Sequence, residues 1–322
     1  MNIDLGIFQS FLQPLGIASP GIQLALDILT VILPLTALSA LAGLPFISLT
    51  AEVLGQLRQR AFYDKGARQL AALAALLGWL FTLGGGLLVW SRLDTAARYP
   101  AVVQGYVVWY ACIITATLCL SLHYTLWKTL RNWRLCHQNL AFVGGCCGAI
   151  ALYAGLSLLD NECRIDQGLP AAPDMWALFV PHYPSPLWNI LYYLPSLAVG
   201  LGAGLGTLWL LLRRKRDDYG RDYYNTILPW CATWARNAWV LLWLILLSFS
   251  LMDIFLTWQE GESPFLLDAA IFQALHILLW ALPALLWTMA ARSKTPLRHK
   301  LTLIFAQSIA MAFTVPLCLS LI

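Results

Sequence analysis

Charge is what this sequence has least of. Asp, Glu, Lys and Arg make up 11% of its 322 residues, where a soluble domain of this length carries about a quarter. Clustered cysteine is missing too. Cys112, Cys119, Cys136, Cys146, Cys147, Cys163, Cys231 and Cys318 include no C-x-x-C pair. Iron–sulfur and zinc sites draw on clustered thiolates, so these cysteines read as small hydrophobes. No H-E-x-x-H, G-x-S-x-G or Walker motif occurs. That excludes the zinc hydrolases, serine hydrolases and ATPases which carry those signatures. Residues 1–21 hold no Lys or Arg, so no secretory signal is expected there, because such a signal needs a positive n-region. Ile7 to Leu15 is short and mildly apolar, and a membrane-surface position is expected for it.

What is abundant is apolar sequence. Hydrophobic residues make up 60%, and the mean hydropathy is +0.69. The apolar runs repeatedly exceed the length that about 30 Å of hydrocarbon requires of a helix. Backbone crossing hydrocarbon must satisfy its own hydrogen bonds, and the alternation of a membrane barrel is absent, so the spans are helices. The expected fold is an all-α integral membrane protein with eight spans, at about 22–54, 69–91, 101–127, 138–158, 187–212, 228–256, 267–291 and 301–321. Span 1 is too long for a straight crossing. With Pro34 and Pro45 inside it, a kink or a break is expected.

Sidedness follows from the basic residues. Loops 55–68, 128–137, 213–227 and 292–300 carry sixteen of the twenty Lys and Arg. The positive-inside rule makes these loops cytoplasmic and places both termini outside. The expected location is a bacterial inner membrane with periplasmic termini. The net charge of +4 comes from these loops and is not a nucleic-acid footprint. The longest loop, 159–186, then lies outside, with Asp160, Glu162, Asp166 and Asp174 followed by Pro181, Pro184 and Pro186.

An internal repeat divides the chain. Shifted by 161 residues, Leu33 to Leu44 falls on Leu194 to Leu205 with six of twelve positions identical. Arg60 falls on Arg221, and Phe62-Tyr63-Asp64 on Tyr223-Tyr224-Asn225. Four spans per half, an even number, make the halves parallel repeats about an axis along the membrane normal. The expected organisation is an outer-surface segment 1–21, a four-helix bundle 22–158, an external loop 159–186 and a second four-helix bundle 187–322. The glycines of spans 2, 4 and 5, Gly200 to Gly206 among them, read as close helix packing. They do not read as a nucleotide loop, since no strand precedes them.

Ionisable residues inside a membrane are costly and are functional candidates. Asp27, Asn189, Tyr193, Asp253 and His276 fall at similar outer depths and form the expected quinone-binding set. A quinone needs an apolar cavity, hydrogen-bonding groups at its carbonyls and a nearby proton acceptor. His276 is the best acceptor by its ordinary titration range. Glu52, His123 and Arg236 lie towards the cytoplasm and form the expected proton path. His137, His182 and His299 are expected in loops. His123 and His276 differ in depth by roughly 11 Å at 1.5 Å per residue. That fits a shared iron poorly, so no haem is expected, and no metal site or cluster.

The chain resembles the NrfD/polysulfide-reductase family of membrane anchors. The likeness lies in eight spans, two four-helix halves and outside termini. It lies also in Ser185-Pro186-Leu187-Trp188-Asn189 followed by Leu194-Pro195 to Gly206, which is similar to that family's fifth span. Span 1, with Pro34 and Pro45, departs from the family's aromatic and glycine pattern. The resemblance implies a haem-free subunit that exchanges electrons between menaquinone or ubiquinone and an iron–sulfur partner. That partner docks on the outer face and serves a larger catalytic or multihaem cytochrome subunit. Phe62-Tyr63-Asp64-Lys65, with Gly78 and Gly84-Gly85-Gly86, also resembles the first hairpin of cytochrome bd oxidase subunit I. That family's axial His in span 1 has no counterpart here, which leaves a haem-free quinol-binding scaffold. A secondary transporter is the alternative from another class, since repeats and broken helices suit it.

Overall fold

The computed structural model describes residues 20–92, 99–170, 172–180, 187–259 and 266–314. Every regular element among them is a helix. The chain runs α1 (Pro20–Arg58), α2 (Ala61–Arg92), α3 (Pro100–Thr125), α4 (Arg134–Asp166), the short α5 (Met175–Phe179), α6 (Leu187–Asp217), α7 (Arg221–Gln259), α8 (Leu266–Arg292) and α9 (Lys300–Ala312). The protein is thus an all-helical membrane protein. Six helices, α1 to α4, α6 and α7, are long and apolar enough to cross a bilayer, and shorter apolar stretches lie in α8 and α9. Their outer faces need lipid. On α8, Leu275, Leu278, Leu282, Leu285 and Met289 form an exposed apolar stripe at helical spacing, as a lipid-facing helix presents.

Several helices outrun their expected spans. α1 continues to Arg58 and α4 to Asp166. Hydropathy marks where the lipid ends, whereas a helix continues into water as long as its backbone bonds are made. Pro34 and Pro45 do not interrupt α1, nor does Pro195 interrupt α6. The segment expected as loop 159–186 begins as the last turns of α4. The described part of its remainder packs against α3 and α4. Tyr153 donates to the Phe179 carbonyl (2.6 Å), Ala172 N–H to Asn161 Oδ1 (3.2 Å), and Leu178 is buried against Gly105.

α1 packs on α2 and α4, and α3 packs on both of those, closing a ring of four. α6, α7, α8 and α9 close a second ring in the same order. The two groups meet mainly along α1 and α6. The seam is tight: a Cβ built at Gly43 would collide with the backbone of Ala198, and one at Gly202 would lie 3.1 Å from the Leu44 amide nitrogen. Only small residues allow such approach between membrane helices.

α1 and α6 run in the same direction. Each ends in a short turn through left-handed backbone, Gln59 (φ 53°) in one and Asp218 (φ 34°) and Gly220 (φ 84°) in the other. The two turns lie side by side, with the Lys65 ammonium 4.8 Å from the centre of the Tyr219 ring. Just beyond them Phe62 meets Tyr223 edge-on at 6.1 Å, and Gly66 packs against Ile227. Arg68 stands over Tyr124 at the end of α3, so three of the four basic segments share one face.

Candidate functional site

Three ionisable side chains from three helices converge in the first group of four. Glu52 lies six residues before the end of α1, His123 two before the end of α3, and His137 three after the start of α4. All are buried, His123 completely. The turn joining α3 to α4 is short and includes one 3₁₀ segment, Thr129–Asn132. It sets His137 directly against His123, with ring centroids 4.1 Å apart and planes tilted by 34°. Trp127 closes the site from the turn, 5.2 Å from the His123 ring and 4.8 Å from that of His137.

The hydrogen bonds fix the ring protons. His137 Nε2 lies 2.9 Å from the His123 carbonyl oxygen, and His123 Nδ1 lies 3.1 Å from the His137 carbonyl oxygen. A carbonyl oxygen only accepts, so each of these nitrogens carries a proton and donates. His137 Nδ1 faces both carboxylate oxygens of Glu52, at 3.2 and 3.1 Å. With an acceptor at each nitrogen, the ring pairs with Glu52 as a cation. Gln56 Nε2 donates to Glu52 Oε1 at 3.3 Å. His123 Nε2 is left buried with no hydrogen-bond partner. Taking charges out of water is expensive unless each is paired, and this arrangement pairs the two charges while leaving one imidazole lone pair unused.

A second polar group ties the two halves together on the same face. Gln69, near the start of α2, donates to Asp217 at the end of α6 and accepts from the Tyr223 hydroxyl. Arg213 holds Asp217 through two bonds of 2.8 and 3.0 Å, and Trp209 Nε1 donates to the Gln69 carbonyl (3.1 Å).

The residues expected from the sequence are distributed unevenly over this structure. Glu52 and His123, two of the three expected on a proton path, come together. Arg236 does not join them in any hydrogen bond: it lies on α7 with its guanidinium on Asn237 Oδ1, at 3.0 and 2.7 Å. Of the expected quinone set, Tyr193 is buried in the core on α6 and Asp253 is exposed on α7. The side chains of Asp27, Asn189 and His276 lie outside the described ones. His137 corrects the sequence reading. It was expected in a loop, because Lys128, Arg131 and Arg134 depress the local hydropathy. It is instead a buried helical residue and the centre of the cluster. The signal that finds it is spacing: a helical hairpin with a short turn returns residue 137 to the level of residue 123.

Comparison with family models, with curated proteins and with solved structures finds no match to this chain.

Proposed function

We propose that the chain is a quinone- or quinol-interacting anchor subunit of a respiratory electron-transfer complex. In this reading it is built as two parallel four-helix halves, with eight spans and both termini on the periplasmic side of a bacterial inner membrane. The quinone is menaquinone or ubiquinone. An iron–sulfur subunit, a multihaem cytochrome or a catalytic oxidoreductase subunit exchanges electrons with it on the outer face.

The observation that supports this reading best is the meeting of residues 161 apart, Phe62 with Tyr223 and Gly66 with Ile227. Residues touch their own equivalents only beside a two-fold axis. Because α1 and α6 run the same way, this supports an axis along the membrane normal. Gln59 and Gly220, also 161 apart, are both left-handed. The alternative, a secondary transporter, is served less well. Transporters of that kind hold solute near mid-membrane on broken helices, usually in inverted repeats. Here helices pass unbroken through their prolines, and the buried Glu52 and His137 charges sit near helix ends. Continuous helices with polar groups near their ends suit a lipid-soluble redox carrier whose head group reacts close to the interface.

Purification with native partners tests the reading. Co-purifying iron–sulfur or cytochrome subunits, reduced by added quinol, support it; a chain that purifies alone and moves a solute into vesicles overturns it. Within it, His276→Ala and Asp27→Asn membranes with verified assembly locate the carrier. Quinol-dependent reduction of the partner should fall in both, because losing one hydrogen bond to the ring weakens binding by roughly 1–3 kcal/mol. Wild-type turnover in both moves the site to the basic face.

A further inference from the structure

The Glu52–His123–His137 cluster carries more than an ion pair. One nitrogen from each imidazole and one carboxylate oxygen of Glu52 lie within 4.8 Å of one another, and all three residues are buried. The distances resemble those of a coordination sphere. Two ligand atoms about 2.0–2.1 Å from a tetrahedral ion stand about 3.3 Å apart, and His137 Nδ1 stands 3.1 and 3.2 Å from the Glu52 oxygens.

The outer hydrogen bonds have the matching form. A histidine that ligates a metal donates its remote N–H to a backbone carbonyl or a carboxylate, which fixes the tautomer and the ring plane. Both histidines do so here, each to the other's carbonyl. The nitrogens left for coordination are Nδ1 of His137, already on Glu52, and Nε2 of His123, which is buried and unpartnered. An unpaired lone pair in a dry interior is destabilising, and a cation relieves that. Gln56 supports the carboxylate from outside the ligand set.

The geometry points to a site for a first-row divalent transition-metal ion at Glu52, His123 and His137, tying together the basic-face ends of α1, α3 and α4. Two imidazoles and one carboxylate are the donors that zinc and non-haem iron(II) take. The hard ions magnesium and calcium prefer all-oxygen sites. The ion replaces one proton, that on His137 Nδ1, and leaves both carbonyl hydrogen bonds in place. Trp127 covers the site on the turn side.

The test uses the full chain in mild detergent, with zinc and cobalt(II) as probes, and needs no redox assay. Metal analysis of protein exposed to zinc and then washed should find about one ion per chain, and cobalt(II) should give the visible bands of a low-coordinate imidazole complex. His123→Ala and Glu52→Gln should each weaken binding by at least about 100-fold, beyond the 10–100-fold typical of outer-shell changes. His299→Ala, at an exposed position, should bind as wild type. If the variants fail to fold, X-ray absorption of the zinc-loaded wild-type protein still decides, because it must show two imidazole ligands. No retained ion, unchanged affinity in His123→Ala, or an absorption spectrum without imidazole overturns the site. None of these results bears on whether quinol reduces the partner, so the two proposals fail separately.

Discussion

The two halves share a plan but are filled differently. The first, α1 to α4, buries Glu52, His123 and His137 near its basic end. The second, α6 to α9, buries tryptophan instead: Trp239, Trp280 and Trp287 are at most 1% exposed, with Trp239 and Trp280 6.4 Å apart. The position 161 residues after Glu52 is Arg213, which pairs with Asp217 near the surface and not with histidine. Helix count, direction and turn geometry therefore do not dictate what a bundle of this type encloses. One group encloses ionisable side chains, and the other encloses indoles.

If that contrast is right, the largest effect comes from emptying the indole core. Trp287→Ala removes a fully buried indole and should lower stability by about 3–5 kcal/mol, read as a drop in thermal midpoint in detergent. A small change would mean that the second half is not a tightly packed core. Next is the seam on which both halves depend. Gly43→Val places methyl groups against the Ala198 backbone, which cannot rotate away. It should cost about 1–3 kcal/mol and increase protease cutting between the halves, and native protease resistance would argue that α1 and α6 pack less closely.

A gain is expected from Gln307 on α9. Its amide is fully buried, and neither its nitrogen nor its oxygen has a hydrogen-bond partner. Gln307→Met keeps much of the volume and removes that desolvated group, so the thermal midpoint should rise, by about 1–2 kcal/mol in stability terms. A fall would show that the amide holds the second half together after all. The smallest and sharpest test is a double-mutant cycle on Phe62 and Tyr223, each changed to Leu. Coupling of about 0.5–1.5 kcal/mol is expected for an edge-on pair, and additive effects would remove the contact that best supports the two-fold axis.

Much of the fold was legible because lipid imposes it. Long apolar runs located the helices in order. Helix ends were less legible. Arg58, Lys65 and Arg68 lower the hydropathy of residues 55–68, yet all but a two-residue turn of that stretch is helical. The candidate site was half legible. Glu52 and His123 stood out as ionisable groups in apolar surroundings. His137 was hidden by the charges beside it, and its partnership with Glu52, 85 residues away in sequence, depends on α1 packing against α4, which no local pattern reports. Gln69 escaped notice for the same reason: its partners Asp217 and Tyr223 belong to the other half.

The seam between α1 and α6 also bears on how the chain is made. The groove that Gly43 opens on α1 is filled by Ala198, roughly 150 residues later, which at about 5–20 residues per second is on the order of ten seconds of synthesis or more. The ring of α1 to α4 closes without waiting, since each of its contacts lies within the first half. During that interval the small-residue groove faces lipid or an insertion helper. A chain stopped after α4 is therefore expected to hold all the contacts of the first ring and to lack the α6 that covers its flank, which protease resistance of such a truncated chain would check.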